Sequence, residues 1–398
     1  MQGNFAVIVA GGGLAGYTAA LALARPGFEV AAVAPKRARE DGRTTALLAS
    51  SVAFLRELGV WDEVAKHASP LATMRIIDAT GRLLRAPELA FHASEIGLEA
   101  FGYNVANTDL LKALAKACTS TGRVTFIEGA VESAIFGDGL QQVTLDDGRI
   151  LSANLVIGAD GRNSAIRRLS GAGEREWSYP QTALVLDFRH THPHHDASTE
   201  FHTAEGPFTF VPLGPDRCGL VWVQRPEKAG DRMQWRTEAL EREIERQMDS
   251  MLGRITITSP VQAWKLSGLV AKAFGGPGWV LAGEAAHVFP PIGAQGFNLG
   301  IRDVELIAEM ARGMEAPRLS SLGPRYNLRR FADVTSRTAS VDILNRSLLS
   351  GFLPVQLARI AGMHAINMVG PLRRLLMREG VSPGGQIRSF ASRFRQTG

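Results

Sequence analysis

The spacing of apolar positions changes character twice within the first 35 residues. Phe5–Ala10 is an unbroken apolar run bounded by glycine, which predicts a strand buried on both faces of a parallel sheet. Leu14–Arg25 is rich in Ala and Leu and stops at Pro26-Gly27, predicting a helix; Glu29–Ala34 predicts the second strand of a βαβ unit. Helices follow over Val52–Leu58 and Thr108–Ser120, the latter with Asn107 or Thr108 as N-cap and Gly122 behind it. From 124 to 151 hydrophobicity alternates around Asp138-Gly139 and Asp146-Asp147-Gly148, the mark of a hairpin or meander. Leu155–Ile157 reads as a short buried strand, 181–190 and 199–224 as strands, and Asp231–Leu252 as one charged amphipathic helix. Trp279–Ala282 is another buried strand, a helix runs from about Gly296 to Arg312, and the remainder is helical with breaks at Pro324, Pro354 and Pro371. Buried strands running into glycine thus occur at three separated places, with sheet-rich material between the second and third. This predicts an α/β chain with a discontinuous Rossmann-type domain, an inserted mixed-sheet substrate domain and a helical C-terminus.

A length of 398 residues accommodates two or three domains, and 45% hydrophobic with 21% charged residues excludes a disordered chain. Cys118 and Cys218 are too few for a disulfide framework or a cysteine-based zinc site and suit a reducing compartment. No signal peptide is expected, because Met1-Gln-Gly-Asn lacks a basic region and the apolar run Phe5–Ala10 is too short, and no membrane span, because no uninterrupted apolar stretch reaches ~18 residues. The net charge of +5 is unevenly held. Residues 321–398 carry twelve Arg, no Lys and three acids, a local +9 against −4 for the first 320. Forty-two glycines exceed the usual ~7% share by about half and cluster, which points to ligand-cradling loops.

The first cluster is Gly11-Gly-Gly13-Leu14-Ala15-Gly16, a G-x-G-x-x-G placed directly after a strand and opening a helix. Gly11 permits the tight turn, Gly13 lets a pyrophosphate approach the backbone, and Gly16 allows close helix–strand packing. The helix N-terminus offers free N–H groups and a positive dipole end to phosphate. The acid expected about 20 residues on to hold a ribose is absent, since that strand ends Val33-Ala34-Pro35-Lys36-Arg37. Lys36, Arg37 or Arg39 either holds a 2′-phosphate or forms a solvated basic turn. A second motif is Asp41-Gly-Arg43-Thr-Thr-Ala46-Leu47 and a third Gly158-Ala-Asp160-Gly161-Arg162 with Ser164 and Arg167. The fourth is Gly283-Glu284-Ala-Ala-His287, running into Pro290-Pro291-Ile-Gly293-Ala-Gln295-Gly296-Phe-Asn298-Leu-Gly300 and then Asp303.

Four ordered motifs at compatible spacing make the chain resemble the aromatic-ring flavoprotein hydroxylases built like p-hydroxybenzoate hydroxylase, and within them the ubiquinone-biosynthesis hydroxylases. The resemblance covers nearly the whole chain, with two departures: Glu284 stands where the family has Asp, and Gly293-Ala294-Gln295 where it has Ala-Gly-Gln. It implies FAD held by Gly11, Gly13, Leu14, Ala15, Gly16, Arg43, Asp160, Gly161, Gly283, Glu284, Pro291, Gly293, Gln295, Gly296 and Asn298. Arg43, Pro291 and Gln295 are the positioning candidates, because the chemistry is flavin-borne and no catalytic side chain is assigned. Glu284 is expected on the ribityl chain, Asp160 near both FAD and NAD(P)H, and 291–300 along the flavin ring. NAD(P)H or a ferredoxin is the implied electron donor. A flavin C4a-hydroperoxide then hydroxylates a polyprenylated phenol with O₂. The alternatives are an FAD hydroxylase of a small soluble aromatic compound, and a non-catalytic flavin-binding component of a biosynthetic complex. Implied boundaries are 1–70, 101–176 and 269–320 for the FAD-binding parts, 71–100 and 177–268 for the substrate domain, and 321–398 for a basic helical region.

His190, His192, His194, His195 and His202 are read as a strand-end turn around Pro193 and Asp196, with no metal expected. His287 is read as structural. The run Phe352–Val369, followed by Arg373, Arg374 and Arg378, is either a core-packed helix pair with a solvated face or a membrane-surface helix. A cytoplasmic protein, peripheral at the inner membrane and associated with other ubiquinone-biosynthesis proteins, is the expectation. Nucleic acid is not expected as a partner, for want of an aromatic-interleaved basic motif. Nothing in the sequence selects an oligomeric state.

Overall fold

In the computed structural model, which describes residues 2–36, 42–81, 87–290, 295–334 and 370–381, the βαβ unit is β1 (Gln2–Ala10), α1 (Leu14–Ala24) and β2 (Val30–Ala34). β3 (Thr44–Leu48), α2 (Ala49–Glu57), α3 (Trp61–Ala65) and β4 (Ser69–Pro70) follow, then β5 (Thr73–Asp78), β6 (Leu89–His92) and β7 (Gly102–Ala106). Next come α4 (Asn107–Ser120), β8 (Val124–Glu128) and the meander β9 (Val131–Ile135), β10 (Gln141–Leu145) and β11 (Ile150–Gly158). After α5 (Ala165–Leu169) stand β12 (Glu174–His190), β13 (Ala197–His202), β14 (Pro207–Pro212), β15 (Arg217–Gln224), α6 (Pro226–Arg232), α7 (Thr237–Gln247), β16 (Ile255–Ile257) and β17 (Gln262–Ala271). β18 (Gly275–Gly276), β19 (Trp279–Leu281), β20 (His287–Val288) and α8 (Gln295–Ala311) precede helices at 322–334 and Gly370–Val381.

The first sheet has eight strands in the order β18-β19-β11-β1-β2-β8, with β10 and β9 added beside β11. β1 pairs in parallel with β11 (Val7↔Leu155) and with β2 (Val7↔Val30), and Val7, Ile8 and Val9 are wholly buried, as a continuous apolar run requires. α1 is buried from Thr18 to Ala24 and packs against α4 and α8. The second sheet has nine strands, with main order β20-β17-β12-β15-β14-β13-β5-β6. Its outer face buries Leu184, Leu186, Phe188, Phe208, Phe210, Leu220 and Trp222 against Leu240, Ile244 and Met248 of the α7 region. β5 and β6, from the 71–100 segment, reach this sheet through the parallel pair β5–β13. A small sheet, β3-β7-β4, stands between the two. Asn104 of β7 donates to the Pro212 carbonyl of β14 at 2.8 Å.

Four local expectations are corrected. The single helix over 231–252 is two pieces, α6 starting at Pro226 in its first turn and α7 ending before left-handed Asp249 and Ser250. Arg232, 4.1 Å over the Trp222 ring and 3.2 Å from Glu243, ties the pieces together across the break. Asn107 lies inside α4 rather than capping it, and its Oδ1 accepts from Thr45 Oγ1 at 2.6 Å instead. The Leu155–Ile157 strand extends back to Ile150, because β10 pairs with that half. Pro324 and Pro371 fall in the first turns of helices, where no intrahelical N–H bond is lost, so neither breaks one. Pro354 lies outside the described residues, as does the Phe352–Val369 run.

The helix 322–334 is part of the first sheet's core. Leu322, Tyr326 and Val334 are fully buried, Tyr326 donates to the Leu281 carbonyl at 2.9 Å, and Asn327 accepts from Phe274 N at 2.8 Å. The Gly370–Val381 helix docks elsewhere. Arg373 forks onto Glu95 at 2.7 and 2.8 Å and covers Phe91, and Met377 packs with Ala93 and Phe101.

Candidate active site

Gly11, at φ +130°, turns the chain out of β1, and a Cβ there would lie 2.1 Å from the Ala159 carbonyl oxygen. One at Gly16 would lie 2.0 Å from the Gly11 carbonyl oxygen, so α1 rests directly on the turn. Gly13 differs: it is extended, and a Cβ added to it meets nothing within 4 Å. The space over Gly13 is therefore open, beside the first turn of α1, whose N-terminus carries no side-chain cap and no acid. An open cradle at the positive end of a helix fits a pyrophosphate. β2 ends at Ala34, with Lys36 exposed beyond it; Arg37 and Arg39 lie outside the described residues.

The third motif meets this turn from the β11 side. Asp160 Oδ2 accepts from Ala165 N at 2.6 Å and Ile166 N at 3.2 Å, so one carboxylate oxygen caps α5. Oδ1 is buried without a partner among the described residues, which leaves an acceptor for a ligand hydroxyl or amide. Gly161 follows at φ +81°. Arg167, 3% exposed, donates to the carbonyls of Ala285 at 2.8 Å and Arg162 at 2.6 Å, joining the third motif to the fourth. Arg162 itself reaches Ser267 and Glu176 of the second sheet.

In the fourth motif Gly283 is left-handed at φ +62°, and a Cβ on it would sit 2.8 Å from Ala15 Cβ. One on Gly300 would sit 3.2 Å from Gly283 Cα. Small residues thus let α1, the Gly283 turn and α8 converge, leaving the Glu284 side chain exposed beside the α1 N-terminus. Below the turn lies a buried charged network. Asp303 Oδ2 accepts from Gly283 N and from His287 Nε2, both at 2.8 Å, and Oδ1 lies 2.6 Å from Arg330 Nη2. Burial alone would raise the Asp303 carboxyl. The Arg330 guanidinium, His287 and the Gly283 N–H outweigh it and hold the group below its ordinary value. His287 is thereby structural, stacked on Phe289 at 5.4 Å. Asn298, placed by sequence on the cofactor, spends its amide on β3: it donates to the Ala46 carbonyl at 2.7 Å and accepts from Leu48 N at 2.9 Å. Gly296 faces open space in the first turn of α8. Pro291 and Gly293 lie outside the described residues, and Gln295 opens α8.

Arg43, just before β3, stands over the Trp264 ring of β17 at 5.2 Å, bridging the second motif to the second sheet. On β3, Leu47 is buried and Thr45 is bonded to Asn107, so alternation turns Thr44, Ala46 and Leu48 the other way, toward the second sheet. The facing side of that sheet carries the pairs Val185↔Val221 and Asp187↔Gly219, with Thr209 opposite Val221. Burial pushes the Asp187 carboxyl above its ordinary value, against the pull of Arg217. The facing walls are apolar with a few polar groups, the lining that pockets for aromatic rings have.

Sequence reading missed Arg330, Trp264 and Asp187. For Arg330 a signal existed: Leu322, Tyr326, Arg330 and Val334 form an i, i+4 stripe that is apolar apart from one arginine. Of the five histidines, His190 and His194 meet edge-to-face with ring centroids 5.3 Å apart. His194 Nδ1 accepts from Asp196 N at 2.9 Å and Nε2 lies 2.7 Å from the Gly214 carbonyl, so this ring organises its own turn. Among the described residues no group of three or more potential ligands could hold a metal.

Residues 4–321 match the FAD binding domain family. The chain is 32% identical to the ubiquinone hydroxylase UbiL of Rhodospirillum rubrum over 389 residues, covering 94% of this chain and 89% of that protein. It is also 32% identical to the 3-demethoxyubiquinol 3-hydroxylase of Escherichia coli, over 92% of this chain and 96% of the relative. In fold it is similar to p-nitrophenol 4-monooxygenase PnpA from Pseudomonas putida (TM-score 0.74, 19% identity, 96% and 98% coverage). It is also similar to Pseudomonas aeruginosa PqsL in complex with 2-aminobenzoylacetate (TM-score 0.76, 23% identity, 91% and 99% coverage).

Proposed function

The chain belongs to the ubiquinone-biosynthesis FAD hydroxylase family, related to the p-hydroxybenzoate-hydroxylase-like monooxygenases, and from that premise we propose that it hydroxylates the ring of a polyprenylated phenol. It is an FAD-dependent aromatic-ring monooxygenase. Bound FAD supplies the activation of O₂ and accepts the electrons, which NAD(P)H or a ferredoxin delivers. The residues of this chain bind, orient and shield. The uncapped start of α1 over Gly13 takes the pyrophosphate, Asp160 Oδ1 and Glu284 take hydroxyls of the cofactor, and the N-terminus of α8 favours negative charge on the flavin. The sheet face carrying Val185 and Val221 excludes water from the ring to be hydroxylated.

The observation that carries this reading is the open cradle at Gly13 together with the apolar face of the second sheet that β3 meets. A prenyl tail suits the C-terminal helix: Leu375 and Leu376 are exposed beside exposed Arg374 and Arg378, while Arg373 and Met377 hold its other side. Basic residues flanking exposed leucines favour an anionic lipid surface. We place the protein in the cytoplasm, peripheral at the inner membrane and beside other enzymes of the same biosynthesis. Among the described residues no helix is long and apolar enough to cross a membrane. The test is purification with a yellow flavin spectrum, then NAD(P)H- or ferredoxin-driven product formation from prenylphenols and from water-soluble phenols. Coupled hydroxylation of the prenylphenol is expected. Turnover of soluble phenols with prenylphenols inert would transfer the activity to small aromatics, and a chain that refuses FAD would sink the enzyme reading.

A further inference from the structure

Asp187 is half-buried on the cleft side of β12, and nothing in the family motifs points to it. Its register partner is Gly219, and a Cβ built there would lie 3.4 Å from Asp187 Oδ1 and 3.5 Å from Thr44 Oγ1. Both are ordinary contact distances, so the missing side chain leaves room for about a methyl group, flanked by a carboxylate oxygen from one sheet and a hydroxyl from the other. Asp187 Oδ2 lies 3.4 Å from Arg217 Nη2, whereas neither Oδ1 nor Thr44 Oγ1 has a hydrogen-bond partner among the described residues. An acceptor and a donor-acceptor converging on the same space form a seat for one hydroxyl group.

The seat lies at the right end of the cleft. Thr44, Ala46 and Leu48 share one face of β3, and Asn298, in the first turn of α8, grips that strand at Ala46 and Leu48. Thr44 lies two residues, about 7 Å, along the strand from Ala46. Val185 and Val221 flank the path on the opposite wall. A phenol lying there has its ring toward the flavin-side helix and its oxygen at Asp187.

We infer that Asp187 and Thr44 anchor the phenolic hydroxyl of the substrate. The phenol O–H donates to Asp187 Oδ1 and the Thr44 hydroxyl donates to the phenol oxygen. A carboxylate accepting from the phenol enriches the ring in electron density at its ortho and para carbons, where an electrophilic oxygen is received. No bond to hydrogen need break; Arg217 steadies the carboxylate from its other oxygen. The assignment rests on the prenylphenol hydroxylase reading above and adds the residues that choose a free ring hydroxyl.

The experiment compares the FAD-loaded enzyme with its Asp187→Asn and Thr44→Val variants, on a prenylphenol and on the same compound with that hydroxyl methylated. Product formation, KM, product per reducing equivalent and FAD affinity are read in each case. A hydrogen bond to a charged group implies a roughly ten- to hundred-fold loss of product formation in Asp187→Asn. KM should rise, coupling should fall and FAD affinity should stay unchanged. Methylating the substrate should cost wild type a similar factor and cost Asp187→Asn little, because both changes remove the same contact. Equal sensitivity of the two proteins to methylation would overturn the assignment, as would an unchanged, coupled Asp187→Asn enzyme. If Asp187→Asn fails to fold, Thr44→Val carries the same comparison with a smaller expected loss. A wild-type enzyme that ignores prenylphenols sinks the underlying function instead, which keeps the two failures apart.

Discussion

Replacing Arg330 with methionine isolates the role of the buried network under the flavin turn. Asp303 is fully buried, the Arg330 side chain is 4% exposed, and their closest atoms are 2.6 Å apart. Removing one partner of such a pair costs about 3–5 kcal/mol, a large share of a domain's ~5–15 kcal/mol of stability. The loss should depend on pH. In wild type the Asp303 carboxyl sits below its ordinary value, so its contribution is present above the unfolded pKa and is lost as pH falls through the folded one. In Arg330→Met, burial dominates and the folded value moves above the unfolded one. The carboxylate then penalises the folded state increasingly as pH rises, up to that raised value. The gap between the two proteins therefore widens from acid toward neutral pH. Urea unfolding of both proteins across about pH 4–8 measures it. Adding Asp303→Asn to Arg330→Met removes the stranded charge and should recover part of the loss. A gap below about 1 kcal/mol, or one flat with pH, would refute the argument, since ordinary surface substitutions stay within ~0.5 kcal/mol.

Gly13→Ala should fold normally and lose FAD affinity, because its Cβ enters the open cradle; isothermal titration of the apoprotein with FAD checks this. Gly16→Ala, whose Cβ would meet the Gly11 carbonyl, should instead lower the melting temperature through about 1–3 kcal/mol of overpacking. Arg373→Ala should speed amide exchange over 370–381 while leaving FAD binding intact. In wild type the same release should occur in strong acid, because Arg373 holds the Glu95 carboxyl down at about 2, and the Glu95–Arg373 contribution is lost only as pH falls toward that value.

Much of this arrangement is written in local pattern. Phe5–Ala10 and Gly11–Gly16 specify their strand, turn and helix because burial and backbone conformation act within a few residues. The glycines of the fourth motif were legible as a ligand-cradling cluster, while the close approach of Gly283 to Ala15 and of Gly300 to Gly283 shows only in three dimensions. The use of the Asn298 side chain on β3 was not legible, because an amide near a helix start serves a ligand or a neighbouring strand equally well and only the position of β3 shows the second. Trp264 and Asp187 were invisible, since their meaning depends on which sheet face meets Arg43 and Thr44. The split of α6 from α7 escaped for a similar reason: Arg232 is drawn back over Trp222, a contact with no trace in helical periodicity.

The strand order of the first sheet also bears on how the protein leaves the ribosome. β1 is the first of the described strands, yet its register partners in β11 end at Gly158 and the next strand outward, β19, ends at Leu281. One edge of β1 thus waits bare until β11 is complete at Gly158, and the outer edge of β11 then waits until β19 at Leu281, templates for mispairing of the kind that slow, non-local sheets expose. Asp303 then emerges without its countercharge until Arg330 follows. Stalled chains ending near residue 320 should remain protease-sensitive throughout the first sheet, and chains extended past Arg330 should abruptly resist, making one arginine the closing signal for a nascent domain begun at Gln2.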